Sequence, residues 1–326
     1  MNTASASLIH EMRPKILERR TRLEAAARSV SADYVNDLLA EIDDTLRKID
    51  NGSYGLCETC NDPIEPDRLE RNPLVRFCLD HLSAKELRAH EQDLELATQI
   101  QARLLPPRAI TTSAWETHYR YEPAGVVGGD YCEIVDDGKS LFFAVGDVAG
   151  KGVAASLLMT HLSAIFRSLL SLDLPLEEVI SRANRLFCES TPDTHYATLV
   201  AGRTTEKGVE LCNAGHCRPL LLRRDGTDRI EASGLPLGLF GDCPHTVTFI
   251  PFDPGDSLVL YTDGITEAQD PNGEEYDEGR LVSSLRSHAG RDAIGIVDGV
   301  LRDVARFRNT GPRQDDMTLL IVHRHC

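Results

Sequence analysis

Residues 141–171 read LFFAVGDVAGKGVAASLLMTHLSAIFRSLLS. The first eight have the length and apolar texture of a buried strand, and they close on Asp147 and Val148. Gly150, Lys151 and Gly152 interrupt the run, after which apolar residues recur at helical spacing across 153–171. The same texture continues on both sides, beginning at about Trp115. YATLVAG (196–202), VELCNAG (209–215), PLLLRR (219–224), HTVTFIPF (245–252), DSLVLYTDG (256–264) and MTLLIVH (317–323) read as further strands. Helical patterns fall at 153–171, 176–189, 280–288 and 292–307. Strands in runs, with helices segregated between them, predict an α+β layered domain, not the strict alternation of a doubly wound sheet.

Upstream, residues 7–50 are polar and helix-prone, with Tyr34, Leu38, Leu39, Ile42, Leu46 and Ile49 on one helical face. This predicts an amphipathic helix, one half of a hairpin with 8–28, stopped by Asn51-Gly52. LSAKELRAHEQDLELATQIQARLL (82–105) predicts a charged helix with an apolar stripe of Leu87, Leu94, Ala97, Ile100 and Leu104, ended by Pro106-Pro107. The expected organisation is a helical module with a cysteine cluster (1–81), a linker helix (82–107) and the layered domain (108–326). Leu87, Leu94, Ala97 and Leu104 follow heptad spacing, so either a homodimer through the linker or packing of the stripe on the layered domain of the same chain is expected.

A formal net charge of −16 over 326 residues argues against a broad electrostatic grip on nucleic acid. No uninterrupted apolar stretch approaches a membrane span, and MNTASASLIHEMRPKILERR lacks the apolar core of a signal peptide. A cytoplasmic protein without membrane contact is expected. The nine cysteines are dilute and odd in number, so reduced thiols are the default. Only Cys57, Cys60 and Cys78 cluster.

Cys57-Glu-Thr-Cys60 and Cys78-Leu-Asp-His81 form two knuckles with the spacing of a structural zinc site. Three thiolates and one imidazole leave no open coordination position, so one Zn²⁺ would support a segment too small to fold well alone. YGLCETCNDPIEPDRLERNPLVRFCLDH, behind a helix ending in DNGSYG, resembles the DksA/TraR zinc-finger family. That family often carries a fourth Cys where this chain has His81. The resemblance implies RNA polymerase as one potential partner.

Several apolar runs meet an aspartate: LFFAVG at Asp147, LVLYT at Asp263, and Asp315-Asp316 before MTLLIV. Asp130 follows Gly128-Gly129. An aspartate at the edge of a buried strand is costly unless it is paired or bound to a cation. Converging carboxylates without Cys or His at ligand spacing favour Mg²⁺ or Mn²⁺. An aspartate after a strand is also a common turn residue, and Asp253, Asp256 and Asp270 are read as no more than that.

AGVVGGDYCEI, FAVGDVAGKGVAASLLM, NAGHCRPLLL, GLPLGL, YTDGITEAQDPNGEEYDEGRL and QDDMTLLIV, with QIQARLLPP in front, resemble the SpoIIE/RsbU branch of the metal-dependent protein phosphatases (PPM). The resemblance implies a β-sandwich flanked by helices with two Mn²⁺ or Mg²⁺ ions at one end. By that resemblance Asp147 bridges both metals, Asp263 and Asp315 complete one site, and Asp130 with the Val148 carbonyl serves the other. Asp316 is not expected to be a direct ligand. Cys132-Glu133 departs from the aromatic and aspartate that many relatives carry. Lys151 reads as a solvated helix-start residue, His216 as a structural turn residue and His161 as a packing residue.

The expected function is therefore a serine/threonine phosphoprotein phosphatase, with a phosphorylated anti-sigma-factor antagonist as the implied substrate. The Cys-x5-Arg spacing does occur, at Cys212–Arg218 and Cys217–Arg223, but the scattered cysteines are not read as a covalent alternative. A zinc-finger regulator of RNA polymerase and a catalytically inactive scaffold are the competing readings.

Overall fold

The computed structural model describes residues 3–26, 32–81, 84–192, 194–309, 311 and 313–325. Two compact units divide the chain, Met1–Asp93 and Leu94–Cys326.

In the first unit, α1 (Thr3–Ala26) and α2 (Ala32–Asn51) run antiparallel. Ion pairs at their surface join Arg13 to Asp50 at 3.2 Å and Arg20 to Asp43 at 3.3 Å. Met12 and Ile16 bury against Ile42, and Leu46 and Ile49 extend the same face of α2 because they recur at helical spacing. Gly52, at φ +79, supplies the left-handed residue that ends α2. The finger follows, with α3 (Pro66–Arg71) and a 3-10 turn (Leu79–His81). Tyr54, Ile64 and Leu69 share one small core with the hairpin. The helix α4 (Ala84–Leu104) continues into the second unit. Leu82, Ser83 and the side chain of Leu87 lie outside the described residues.

The second unit runs β1 (Ala109–Thr111), β2 (Trp115–Glu122), β3 (Asp130–Asp136), β4 (Leu141–Val148), α5 (Gly152–Leu170) and α6 (Leu176–Ser190). Then come β5 (Ala197–Thr204), β6 (Gly208–Ala214), β7 (Leu220–Leu222), β8 (Thr227–Arg229), β9 (Thr248–Pro251) and β10 (Ser257–Tyr261). The short α7 (Asp263–Thr266), α8 (Asp277–Ser287), α9 (Ala293–Arg308) and β11 (Met317–Arg324) complete it. Two antiparallel sheets result, ordered β1-β2-β11-β10-β7-β8 and β3-β4-β5-β6-β9.

Alternation along each strand assigns its side chains to one of three cores. Cys132, Ile134, Phe143 and Val145 from one sheet meet Leu258, Leu260, Leu320 and Val322 from the other. The opposite faces are also apolar. Phe142 and Ala144 pack under α5 and α6, while Val259, Tyr261, Leu319 and Ile321 pack under α8 and α9. Strands covered on both faces explain why LFFAVGDV and MTLLIVH read as continuous apolar runs. The architecture is the α+β sandwich flanked by helices that the sequence predicts. The helix α5 is long and apolar enough to cross a membrane, yet Met159, Leu162 and Phe166 are buried in the sandwich's outer core.

Two strands extend the sequence reading. The β2 segment WETHYRYE mixes charged and apolar residues, yet it pairs along its whole length with β11. The β3 segment DYCEIVD carries Asp130 and Glu133 as buried residues.

Candidate active site and zinc site

Asp130 and Asp147 are direct partners across the antiparallel β3–β4 pair, a register that turns both side chains to one face of the sheet. On the facing sheet, the ends of β10 and β11 are tied by Thr262 N donating to Thr318 O at 3.1 Å and Thr318 N donating to Thr262 Oγ1 at 2.9 Å. Both threonine hydroxyls then donate to Asp130 Oδ2, from Thr262 at 2.9 Å and from Thr318 at 2.5 Å. This carboxylate thereby joins the two sheets at one end of the sandwich. The aspartates just beyond the same strand ends are Asp263, at the start of α7, and Asp315.

Burial and mutual repulsion dominate the electrostatics. Asp130 is 2% exposed, and its carboxyl is held well above the usual range by burial, opposed by the Thr318 hydrogen bond and reinforced by the charge of Asp147. Burial, followed by the charges of Asp263, Asp315 and Asp316, pushes Asp147 up to about 7. Asp263 is raised by burial and then by Asp315. Lys151 Nζ sits 2.7 Å from Asp315 Oδ2, so this helix-start lysine is exposed and also paired with the acidic cluster.

Close backbone packing shapes the loop before Asp130. A methyl group on Gly128 would lie 2.2 Å from Asp316 Oδ2 and 2.3 Å from the Tyr121 hydroxyl, so only glycine fits. A methyl on Gly129 would meet the Val148 carbonyl oxygen at 3.2 Å and Asp147 Oδ1 at 3.4 Å, which brings those two oxygens to one spot. Asp316 accepts from Ala124 N through Oδ1 at 2.8 Å and from Gly129 N through Oδ2 at 2.7 Å. Both its oxygens are thus spent on the loop.

The donors around this end of the sandwich are carboxylate and carbonyl oxygens, which suit hard divalent cations, and a cation would relieve the repulsion that raises Asp147. Among the described residues, however, the aspartates do not close into one tight ligand set of the kind that the cysteines form.

His216 is buried and neutral, pushed down to about 4 by burial. Its Nδ1 lies 2.8 Å from Thr198 Oγ1, and its backbone N donates to Asn213 Oδ1 at 2.9 Å, a turn-holding arrangement. His161 stacks on Phe187 with ring centroids 6.1 Å apart. Glu133 forms an ion pair with Arg167, whose Nε and Nη2 donate at 2.9 and 3.1 Å. Asp253, Asp256 and Asp270 sit in turns; Asp256 Oδ2 accepts from Asp253 N and Asp270 Oδ1 from Asn272 N. The sequence reading missed Thr262 and Thr318, although both flank motif aspartates, in YTDG and DDMT.

In the first unit, the ligand atoms of Cys57, Cys60, Cys78 and His81 all lie within 4.8 Å of one another. Cys60 Sγ and Cys78 Sγ are 3.8 Å apart, and Cys78 Sγ is 3.2 Å from His81 Nδ1. Sulfurs placed about 2.3 Å from one tetrahedral zinc are separated by nearly that sulfur–sulfur distance. The turn that creates the first knuckle is closed by Cys57 N donating to Asp62 O and Asn61 N donating to Cys57 O, both at 2.9 Å. Burial raises the Cys57 thiol, but backbone hydrogen bonds from Cys78, Cys60 and Thr59 outweigh it and bring the thiol down to about 6. The geometry and the donor set fit Zn²⁺.

The second unit has the PP2C phosphatase fold. It is similar to the SiaA PP2C domain of Pseudomonas aeruginosa, with a TM-score of 0.65 and 18% identity over 74% of this chain and 99% of that one. The family model for stage II sporulation protein E (SpoIIE) matches residues 137–325, and the chain belongs to that family. A second match, to the prokaryotic dksA/traR C4-type zinc finger, covers residues 52–80. Protein IcfG of Synechocystis is 26% identical over 268 residues, 72% of this chain and 42% of that protein. The phosphoserine phosphatase RsbU of Bacillus subtilis is 26% identical over 240 residues, 72% of this chain and 70% of RsbU. The RNA polymerase-binding transcription factor DksA of Caulobacter vibrioides is 33% identical over 81 residues, 24% of this chain and 50% of DksA. This chain therefore spans less than half the length of IcfG.

Proposed function

We propose that this chain is a metal-dependent serine/threonine phosphoprotein phosphatase. The observation that carries the reading is the group of carboxylates at one sandwich end, where Asp147, Asp263 and Asp315 act on one another beside the buried Asp130. Two Mn²⁺ or Mg²⁺ ions would be held there, with Asp147 shared, Asp263 and Asp315 completing one site, and Asp130 with the Val148 carbonyl serving the other. When bound, such a pair supplies hydroxide near neutral pH and polarises the phosphoryl oxygens. The protein's own part is to fix the ligands. Thr262 and Thr318 orient Asp130, Asp316 anchors the preceding loop, and Lys151 Nζ stays within reach of Asp315.

The substrate class is a phosphoserine or phosphothreonine protein of the anti-sigma-factor-antagonist type; the kinship with the phosphoserine phosphatase RsbU supports the phosphoserine chemistry. We read the protein as cytoplasmic, and the net charge of −16 argues against a direct grip on nucleic acid. We read 1–81 as the zinc module, 82–107 as the linker and 108–326 as the phosphatase domain. A homodimer through the linker is proposed from its apolar stripe, of which Ile100 is exposed whereas Leu94, Ala97 and Leu104 are half-buried within this chain, as packing on its own sandwich requires.

The test is release of phosphate from a phosphoserine protein by the purified chain, with and without manganese, beside Asp263→Asn. Manganese-dependent turnover that the substitution abolishes is expected. Turnover that needs no metal overturns the reading, and absence of turnover on any phosphoprotein favours an inactive scaffold. A second reading, RNA polymerase binding by the zinc module, draws on the kinship with DksA. Co-purification with polymerase that is lost in Cys57→Ser/Cys60→Ser would support it.

A further inference from the structure

One buried polar side chain of α4 reaches the candidate active site without belonging to it. Gln101 is 4% exposed, and its carboxamide bonds the backbone of Gly128, with the Tyr121 hydroxyl a further donor to Oε1 at 3.5 Å. Nε2 donates to Gly128 O at 2.7 Å, while Oε1 accepts from Gly128 N at 3.2 Å. One turn earlier, Thr98 Oγ1 donates within α4 to Leu94 O at 2.8 Å and lies 3.3 Å from Val126 O. The last turns of α4 therefore hold the loop that leads into Asp130 chiefly at Gly128.

That loop has little freedom elsewhere. Gly129 N is held by Asp316, and the Gly128 Cα faces the Asp316 carboxylate and the Tyr121 hydroxyl so closely that a methyl group would not fit. Gly129 in turn packs against Val148 O and Asp147 Oδ1. A shift of Gly128 thus moves Asp130, the next residue but one, and relaxes the packing beside two further oxygens of the site. A carboxamide suits this role because one planar group both donates and accepts, matching the N–H and C=O of one peptide residue. Neither a carboxylate nor a hydrocarbon side chain does both.

We propose that Gln101 is a positioning residue, whose two hydrogen bonds to Gly128 set Asp130 and the Val148 carbonyl for divalent-cation binding and make that geometry depend on α4 being docked. The proposal rests on the metal reading given above. Outer-shell partners of this kind typically change metal affinity by about 10–100-fold.

The experiment uses the full chain as wild type, Gln101→Leu and Gln101→Glu. Ser284→Ala serves as a control that removes a buried hydrogen bond to Asp303 on α8–α9. Manganese binding is measured by electron paramagnetic resonance, amide exchange over 124–130 in the metal-free state, and turnover against manganese concentration. Both Gln101 variants are expected to bind manganese about tenfold more weakly, with kcat largely recovered at saturating metal, and to exchange faster at Gly128 and Gly129. The control should change neither. If wild type binds manganese and the Gln101 variants match it within about twofold, or if exchange over 124–130 is unaltered, Gln101 is merely a packing residue. Wild type that takes up no manganese overturns the metal reading itself and this proposal with it.

Discussion

Replacing Asp147 by asparagine should stabilise the metal-free protein while removing its response to metal. The folded state holds the Asp147 proton more tightly than the unfolded chain, since burial and the charges of Asp263, Asp315 and Asp316 move its titration from the ordinary 3.8 to about 7. Stability of the metal-free protein is accordingly undiminished below about pH 4, falls as pH rises towards 7 and is flat above it. The full penalty is at most about 4 kcal/mol, taking about 1.4 kcal/mol for each tenfold change in proton affinity. Solvent reaching the half-buried side chain reduces this to about 2 kcal/mol. For a domain of this size that corresponds to a rise in Tm of about 4–8 °C for Asp147→Asn at pH 8 in chelator, and to almost no difference at pH 4. Adding manganese should raise the wild-type Tm and leave the variant unmoved, because a ligand stabilises only the fold that binds it. Calorimetry at the two pH values, with chelator and with manganese, measures all four quantities. A variant no more stable than wild type at pH 8 without metal, or one that manganese stabilises equally, would refute the reasoning.

Gly128→Ala should abolish turnover and lower thermal stability, because its methyl would overlap Asp316 Oδ2 and the Tyr121 hydroxyl; wild-type turnover would show that the loop has room to spare. Arg167→Ala leaves Glu133 buried with Ser163 Oγ as its remaining side-chain donor and should cost about 2–4 kcal/mol in urea unfolding. Adding Glu133→Gln should recover much of that loss, and an unrecovered double variant would mean that Arg167 acts through packing alone. Elemental analysis should find one zinc per chain in the native protein and none in Cys57→Ser/Cys60→Ser, whose first unit should also lose helical circular dichroism on mild heating. Zinc retained by the double variant would place the metal elsewhere.

The parts of the fold legible in the sequence are those where burial is uniform. LFFAVGDV and MTLLIVH are covered on both faces, so each reads as an unbroken apolar run. The β2 and β3 strands hide because their polar residues are used inside the protein. Glu133 pairs with Arg167 on α5, and Asp130 bonds to threonines of the other sheet. The aspartates could be found because each interrupts or borders a strand. Thr262 and Thr318 could not, since their hydroxyls meet Asp130 only after the two sheets close across 132 and 188 residues of chain. The zinc ligands lie at the other extreme, since a two-residue knuckle places both ligands by local geometry and needs no tertiary information.

The adjacent pair Asp315-Asp316 shows how tertiary structure separates what sequence leaves alike. Both precede β11, and either could serve a cation by composition. Backbone direction at the strand's entry sends neighbouring side chains to different sides, so their surroundings diverge. Asp316 is 9% exposed, and its two oxygens accept from Ala124 N at the loop surface and from Gly129 N, a buried donor. Asp315 keeps a side chain that is 39% exposed, meets Lys151 Nζ and raises Asp263 and Asp147. A residue whose lone pairs are committed to backbone amides has less to offer a metal, whereas one facing an exposed lysine can exchange that cation for another. Gly264 makes the division possible, because it packs directly on the Asp316 carbonyl and so brings Asp263 beside Asp315. The two aspartates thus divide the work: one fixes the loop that carries Asp130, and the other faces the charge.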